Sequence, residues 1–272
     1  MKCLYLIIIT SLLSCIACTN DAASQHKDVV PKHENFMLHA PQIGEERTIN
    51  VWLPETYGTT TDSFPVIYMA DGGIAEDFPH IANTIAKLIQ EKKIPPVILV
   101  GIENTQRRRD LTGFTEVEKD KEIAPVVGGS EKFRAFIKET LFAEIANKYR
   151  TTGQKTILGE SAAGLFVMET FFLVPDMFDN YIAFDPSLWW NNHYLARTAS
   201  AHLSNFTSTP KRIWFTSSKA KDVNVYTQSI ANTFKSLAIP SIKWSYTPAP
   251  KETHATIFRA TKEAALIWTF NK

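Results

Sequence analysis

Outside its leader the chain has no cysteine. All three, Cys3, Cys15 and Cys18, lie in or beside the first eighteen residues, so the body has no means of forming an internal disulfide. Long apolar runs are also missing. The ten residues from Leu4 to Leu13 form an apolar run that is too short for a confident membrane span. Nor is there an excess of charge of one sign. The formal net charge is +1, and the positive side chains are dispersed apart from Arg107-Arg108-Arg109, which argues against a nucleic-acid partner. There is no internal repeat, low-complexity tract or second composition. A chain of 272 residues with 44% hydrophobic content fits one globular α/β domain.

The leader is a separate matter. Met1-Lys2 supplies a positive start, the apolar run follows, and small residues with cysteines come after it. Residues 1–18 therefore read as a secretory signal peptide, residues 19–33 as a flexible tether, and residues 34–272 as the folded domain. An exported body without disulfides has little use for a cysteine at its cleavage site unless that cysteine is modified. Leu12-Leu13-Ser14-Cys15 is similar to a bacterial lipobox, with Cys15 as the lipidation site; Cys18, in Cys15-Ile16-Ala17-Cys18, is the other candidate. The expectation is a lipoprotein of the periplasm or outer membrane, held to a bacterial envelope membrane by its acyl chains.

Along the body, short apolar runs alternate with amphipathic stretches. This predicts an α/β fold with a mostly parallel sheet of about eight strands and helices on both faces. Strands are expected at 35–39, 47–53, 65–70, 96–102, 155–158, 181–184, 212–216 and 242–246. The runs PVIYMA and PVILVGI are apolar throughout, as strands covered on both faces should be. Helices are expected at 77–91, 130–149, 162–173, 192–203, 224–237 and 255–268. Residues 103–129 read as a long loop, a lid or a substrate loop.

The stretch Thr156-Ile157-Leu158-Gly159-Glu160-Ser161-Ala162-Ala163-Gly164-Leu165 carries the chemistry. An apolar strand meets Gly-x-Ser, then small residues, then an apolar helix. That order suits a nucleophile elbow, whose tight turn demands small neighbours and lifts the serine oxygen above the sheet. The second glycine of the usual G-x-S-x-G is here Ala163. Ser161 needs a base to take its proton and an acid to orient that base. His254, between the last strand and the last helix, is the candidate base, with His193 as its rival. Asp222 is the only carboxylate between the seventh strand and the next helix, and is the expected acid. It could instead cap that helix. Asp185, at the end of the sixth strand, is the alternative, as is a dyad with no strong acid.

Acyl transfer also requires amide donors for the developing oxyanion. The N–H of Ala162 should supply one. Gly73 or, second to it, Gly72 in Tyr68-Met-Ala-Asp-Gly-Gly73 should supply the other. Arg109 follows the fourth strand at the ligand-binding end of the sheet, either bracing its loop through Asp110 or holding an acidic substrate group. Trp189 and Trp190 follow the sixth strand, where they could stack on aromatic or sugar groups or pack in the core.

Taken together these segments resemble the esterase D-like family of α/β-hydrolases. They are Val51-Trp-Leu-Pro54, Pro65 to Gly72, Val100-Gly-Ile-Glu-Asn104, Arg107 to Thr112, Gly128 to Phe133, Gly159 to Phe166, and Pro186-Ser-Leu-Trp-Trp190. The Arg-x-Arg-Asp and Ser-Leu-Trp-Trp segments are similar to those of the bacterial siderophore (enterochelin-type) esterases. Ala163 and Asp185 depart from the family pattern. The resemblance implies hydrolysis of a carboxylic ester by Ser161 with His254 as base, without cofactor or metal. The substrate would be a siderophore, a feruloyl or acetyl glycan, or a simple acyl ester. Two other readings share the fold: a non-catalytic lipoprotein that binds a siderophore or glycan, and an acyltransferase.

Overall fold

Eight strands form a single sheet in the order β1-β2-β4-β3-β5-β6-β7-β8. They are β1 (Glu34–Ala40), β2 (Glu45–Trp52), β3 (Phe64–Met69), β4 (Ile98–Ile102), β5 (Thr151–Glu160), β6 (Asn180–Phe184), β7 (Lys211–Thr216) and β8 (Ile242–Tyr246). The computed structural model describes residues 28–124, 126–206 and 209–271. The expected signal peptide, with Cys15 and Cys18, and most of the expected tether lie outside the described residues.

β1 pairs with β2, and β2 with β4, in antiparallel fashion, while β4, β3, β5, β6, β7 and β8 run parallel. The expected eight-stranded, mostly parallel sheet is therefore present, and it is an α/β-hydrolase fold. β4 and β6 are buried along their whole length, as central strands covered on both faces are; the polar side chain of Asn180, at the start of β6, donates to Thr156 Oγ1 at 2.9 Å.

The helices are α1 (Phe78–Gln90), α2 (Arg107–Leu111), α3 (Glu118–Ile123), α4 (Ser130–Ala135), α5 (Phe142–Lys148), α6 (Ala162–Leu173), α7 (Trp190–Ser204), α8 (Lys221–Leu237) and α9 (Ile257–Phe270). One core layer packs α1 and α9 on the sheet through Phe78, Ile81, Ile85, Phe258 and Leu266. The other packs α4 to α8 on the opposite face through residues such as Phe133, Phe166, Phe171 and Phe234. α6 has ten of its twelve residues buried. A helix with almost no polar stripe belongs inside the molecule, and this one sits directly below the nucleophile.

Two segments differ from the sequence reading. The single helix expected over 130–149 is α4 and α5 joined by a π-helical turn, Phe136–Leu141. The predicted inward residues Phe133, Phe136, Ile137, Leu141 and Ile145 are all buried. The long loop over 103–129 contains α2 and α3 and is pinned rather than open. Trp190 Nε1 donates to the Gly113 carbonyl at 3.0 Å. Thr115 Oγ1 and the Asn191 amide both donate to Asp120 Oδ2, at 2.7 and 2.8 Å.

Candidate active site

β5 ends at Glu160 and α6 begins at Ala162, so Ser161 alone makes the turn between them. It does so at φ 61° and ψ −118°, a strained backbone that a non-glycine residue adopts only where its surroundings enforce it. The Ser161 N–H donates to the Phe184 carbonyl at 2.9 Å. Its own carbonyl accepts from the Leu165 and Ser187 amides at 2.9 and 3.1 Å. A Cβ placed on Gly159 would lie 2.6 Å from the carbonyl carbon and Cβ of Ala163, so the elbow excludes any side chain at 159. Alanine at 163 is accommodated because its methyl rests against that bare glycine.

His254 reaches the serine from the segment between β8 and α9. The Thr247 and Ala249 amides fasten that segment to the Phe215 and Ser217 carbonyls at 3.0 and 2.9 Å, and the Lys219 amide donates to the Glu252 carbonyl at 3.1 Å. His254 Nε2 lies 2.9 Å from Ser161 Oγ, and Nδ1 lies 2.6 Å from Asp185 Oδ2. A carboxylate only accepts, so Nδ1 carries the proton and Nε2 is left to accept from the serine hydroxyl. The other Asp185 oxygen accepts from the Ser218 amide at 2.6 Å. Asp185 is fully buried and takes a positive φ of 42°, which turns its side chain from the end of β6 toward the loop after β7. Its hydrogen bond raises the pKa of His254, with burial opposing and the nearby charge of Glu160 adding to the rise.

The acid expected from sequence, Asp222, does not touch His254. It is exposed in the first turn of α8, where a carboxylate suits the helix dipole, and its charge acts on the histidine only through space. The rival base His193 is stacked on Tyr226, ring centroids 3.6 Å apart.

The expected oxyanion donors divide. As the first residue of α6, Ala162 has an N–H with no acceptor inside its helix. Gly73 does not offer its amide: that N–H donates to Glu76 Oε2 at 2.7 Å. The Gly72 amide is also engaged, donating to the Ile102 carbonyl at 3.0 Å. Glu76 further accepts from Asn104 Nδ2 at 2.8 Å, and burial raises its pKa despite these donors.

Arg109 is engaged as a brace. It pairs with Asp110 at 2.7 Å and with Glu45, while Arg47 binds Asp110 from the core side. Trp190 is buried and structural through its bond to Gly113, whereas Trp189 remains half-buried. Sequence reasoning missed Arg107. It clamps Asp71 through Nε and Nη2 at 2.6 and 2.7 Å and reaches the Glu160 carbonyl at 3.5 Å. It also missed Ser187, whose Oγ is 3.4 Å from Ser161 Oγ. An arginine that clamps Asp71, two residues from a bracing one, leaves no periodic signal in so short a helix.

A sequence profile for the family described as "Putative esterase" matches residues 40–237, which is most of the chain and includes the elbow and Asp185. The chain belongs to this esterase family. It is 31% identical over 175 residues to the ferri-bacillibactin esterase of Bacillus subtilis, covering 59% of this chain and 61% of that protein. It is 32% identical over 186 residues to a siderophore triacetylfusarinine C esterase of Aspergillus fumigatus, covering 63% of this chain and 61% of the relative. These matches therefore span about three-fifths of each relative's length. Among solved structures, an IroE-like serine hydrolase from Shewanella oneidensis superposes with a TM-score of 0.81 at 25% identity, covering 88% of this chain and 80% of that one.

Proposed function

We propose that this esterase-family protein is a serine hydrolase that cleaves carboxylic esters through an acyl-enzyme. The observation that carries the proposal is the continuous relay Asp185–His254–Ser161, with links of 2.6 and 2.9 Å. Ser161 Oγ attacks the ester carbonyl carbon as His254 Nε2 takes its proton, and the Ala162 N–H stabilises the oxyanion. The tetrahedral intermediate collapses, the leaving alkoxide takes the proton from Nε2, and the acyl group stays on Ser161. Water then attacks this ester with His254 again as base, releasing the acid and restoring the serine. Asp185 holds the imidazole in the productive tautomer and stays ionised throughout.

The substrate class is a siderophore ester. Relatives named for hydrolysis of ferri-bacillibactin and triacetylfusarinine C support this; glycan and simple acyl esters are the competing classes. The leader supports an envelope location with Cys15, or alternatively Cys18, as lipid anchor. The purified protein should hydrolyse a siderophore trilactone faster than feruloyl or acetyl glycans and p-nitrophenyl butyrate. Ser161→Ala should lower turnover of all of them by at least about 10³-fold. Equal turnover by wild type and Ser161→Ala would remove the proposal.

A further inference from the structure

Glu160 immediately precedes the nucleophile, and none of the steps above uses its side chain. That side chain is largely buried, with 16% of its surface exposed, and its Oε1 lies 3.6 Å from Nε2 of His254. Among the described residues no donor comes within hydrogen-bonding distance of its carboxylate. Arg107 spends Nε and Nη2 on Asp71 and touches Glu160 only at the carbonyl. The charged and titratable groups acting on the Glu160 carboxyl are His254 from the loop before α9, Asp77 ahead of α1, Arg107 from α2 and Asp185 from the end of β6. Burial is the main cause that pushes the carboxyl up to about 7; Asp77 and Asp185 add to the rise, and His254 and Arg107 oppose it. An ionised carboxylate is costly in this position, and the atom it faces is the one that becomes positive during catalysis.

We propose that Glu160 is a positioning residue for the reaction: its carboxylate, 3.6 Å from Nε2 of His254, stabilises the imidazolium that forms when Ser161 gives up its proton. The interaction strengthens only as charge develops on the ring, so it favours the transition state over the resting site. It rests on the serine-hydrolase reading for its catalytic meaning, but the coupling itself is a property of the resting protein. The sign follows directly. An ionised Glu160 favours protonated His254, so removing that charge lowers the histidine pKa and moves the acidic limb of kcat/KM to lower pH. It also removes transition-state stabilisation at higher pH, where the wild-type carboxyl is ionised.

The test is an NMR titration of His254 in wild type, Glu160→Gln and Glu160→Asp, paired with pH–rate profiles normalised by active-site titration. In Glu160→Gln the His254 midpoint should fall by roughly half a pH unit, because the wild-type carboxyl is itself only partly ionised where the histidine titrates. The acidic limb should move with it, and the high-pH kcat should fall roughly tenfold with KM little changed. Glu160→Asp keeps the charge at longer range and should lie between the two. It serves alone, by the same smaller shift, if the glutamine variant does not fold. A histidine midpoint that is unmoved, or that rises, would overturn the inference even if kcat falls, because a merely structural role would lower rate without shifting the titration. A wild type that hydrolyses no ester would instead overturn the esterase reading, while the titration would still decide the coupling.

Discussion

Asp185 and Asp222 show how environment assigns roles to two identical side chains. Asp185 is wholly buried, bonded on one oxygen to the Ser218 amide and on the other to His254. Asp222 is exposed on the first turn of a helix. Asp185→Asn should therefore lower kcat by about 10⁴-fold, since the amide favours the wrong imidazole tautomer. Asp222→Asn should change kcat less than about threefold, because its charge is screened. Steady-state kinetics on one ester substrate checks both, and the opposite ranking would return the acid to Asp222. Ser161 and His254 were legible in the sequence because each sits in a local pattern, a strand–turn–helix elbow and the segment before the last helix. The acid was legible only as a choice, with Asp222 preferred and Asp185 the alternative. Both aspartates follow strands, and which one meets the imidazole depends on the positive φ at 185 and on how the β7 and β8 loops fold over it.

At the scale of elements, the elbow works because β5 and α6 approach too closely for any side chain at 159. Gly159→Ala would drive a methyl to 2.6 Å from Ala163, and equilibrium urea unfolding should show a loss of roughly 1–3 kcal/mol. Ala163→Gly, which restores the more usual motif, should cost no more than about 1 kcal/mol. If Gly159→Ala is as stable as wild type, the close packing of the elbow is not what holds Ser161 in its strained turn. The eight strands were readable from their apolar runs and β-branched content, and the inward face of 130–149 from its spacing. α2 and α3 escaped notice because five and six residues are too few to display a helical period. Gly73 was expected to donate to the oxyanion, but nothing in the sequence signals that Glu76, three residues on, holds its amide.

The whole molecule assembles its site from distant parts of the chain. Ser161 and His254 are 93 positions apart, and Asp185 and His254 are 69. No local segment could hold this relay, so its reactivity reports on the complete fold, including the antiparallel β1–β2–β4 edge and the α9 layer. Asp28 and Val29, which the sequence reading assigns to a tether, join this body: Asn83 Nδ2 donates to the Val29 carbonyl at 2.8 Å, and Arg259, in the first turn of α9, pairs with Asp28. The chain thus enters the domain close to the helix that follows the catalytic histidine. The order of the strands was not legible, because periodicity reveals which segments are strands and not which of them are neighbours.

The central claim is that this fold makes one serine nucleophilic. Incubation of the folded protein with a fluorophosphonate, followed by peptide mass mapping, tests it most directly. The account predicts a single adduct on the peptide containing Ser161, absent in His254→Ala and absent when the chain is first unfolded in urea. Folded protein that takes up no label, or takes it up on a different serine, would contradict it.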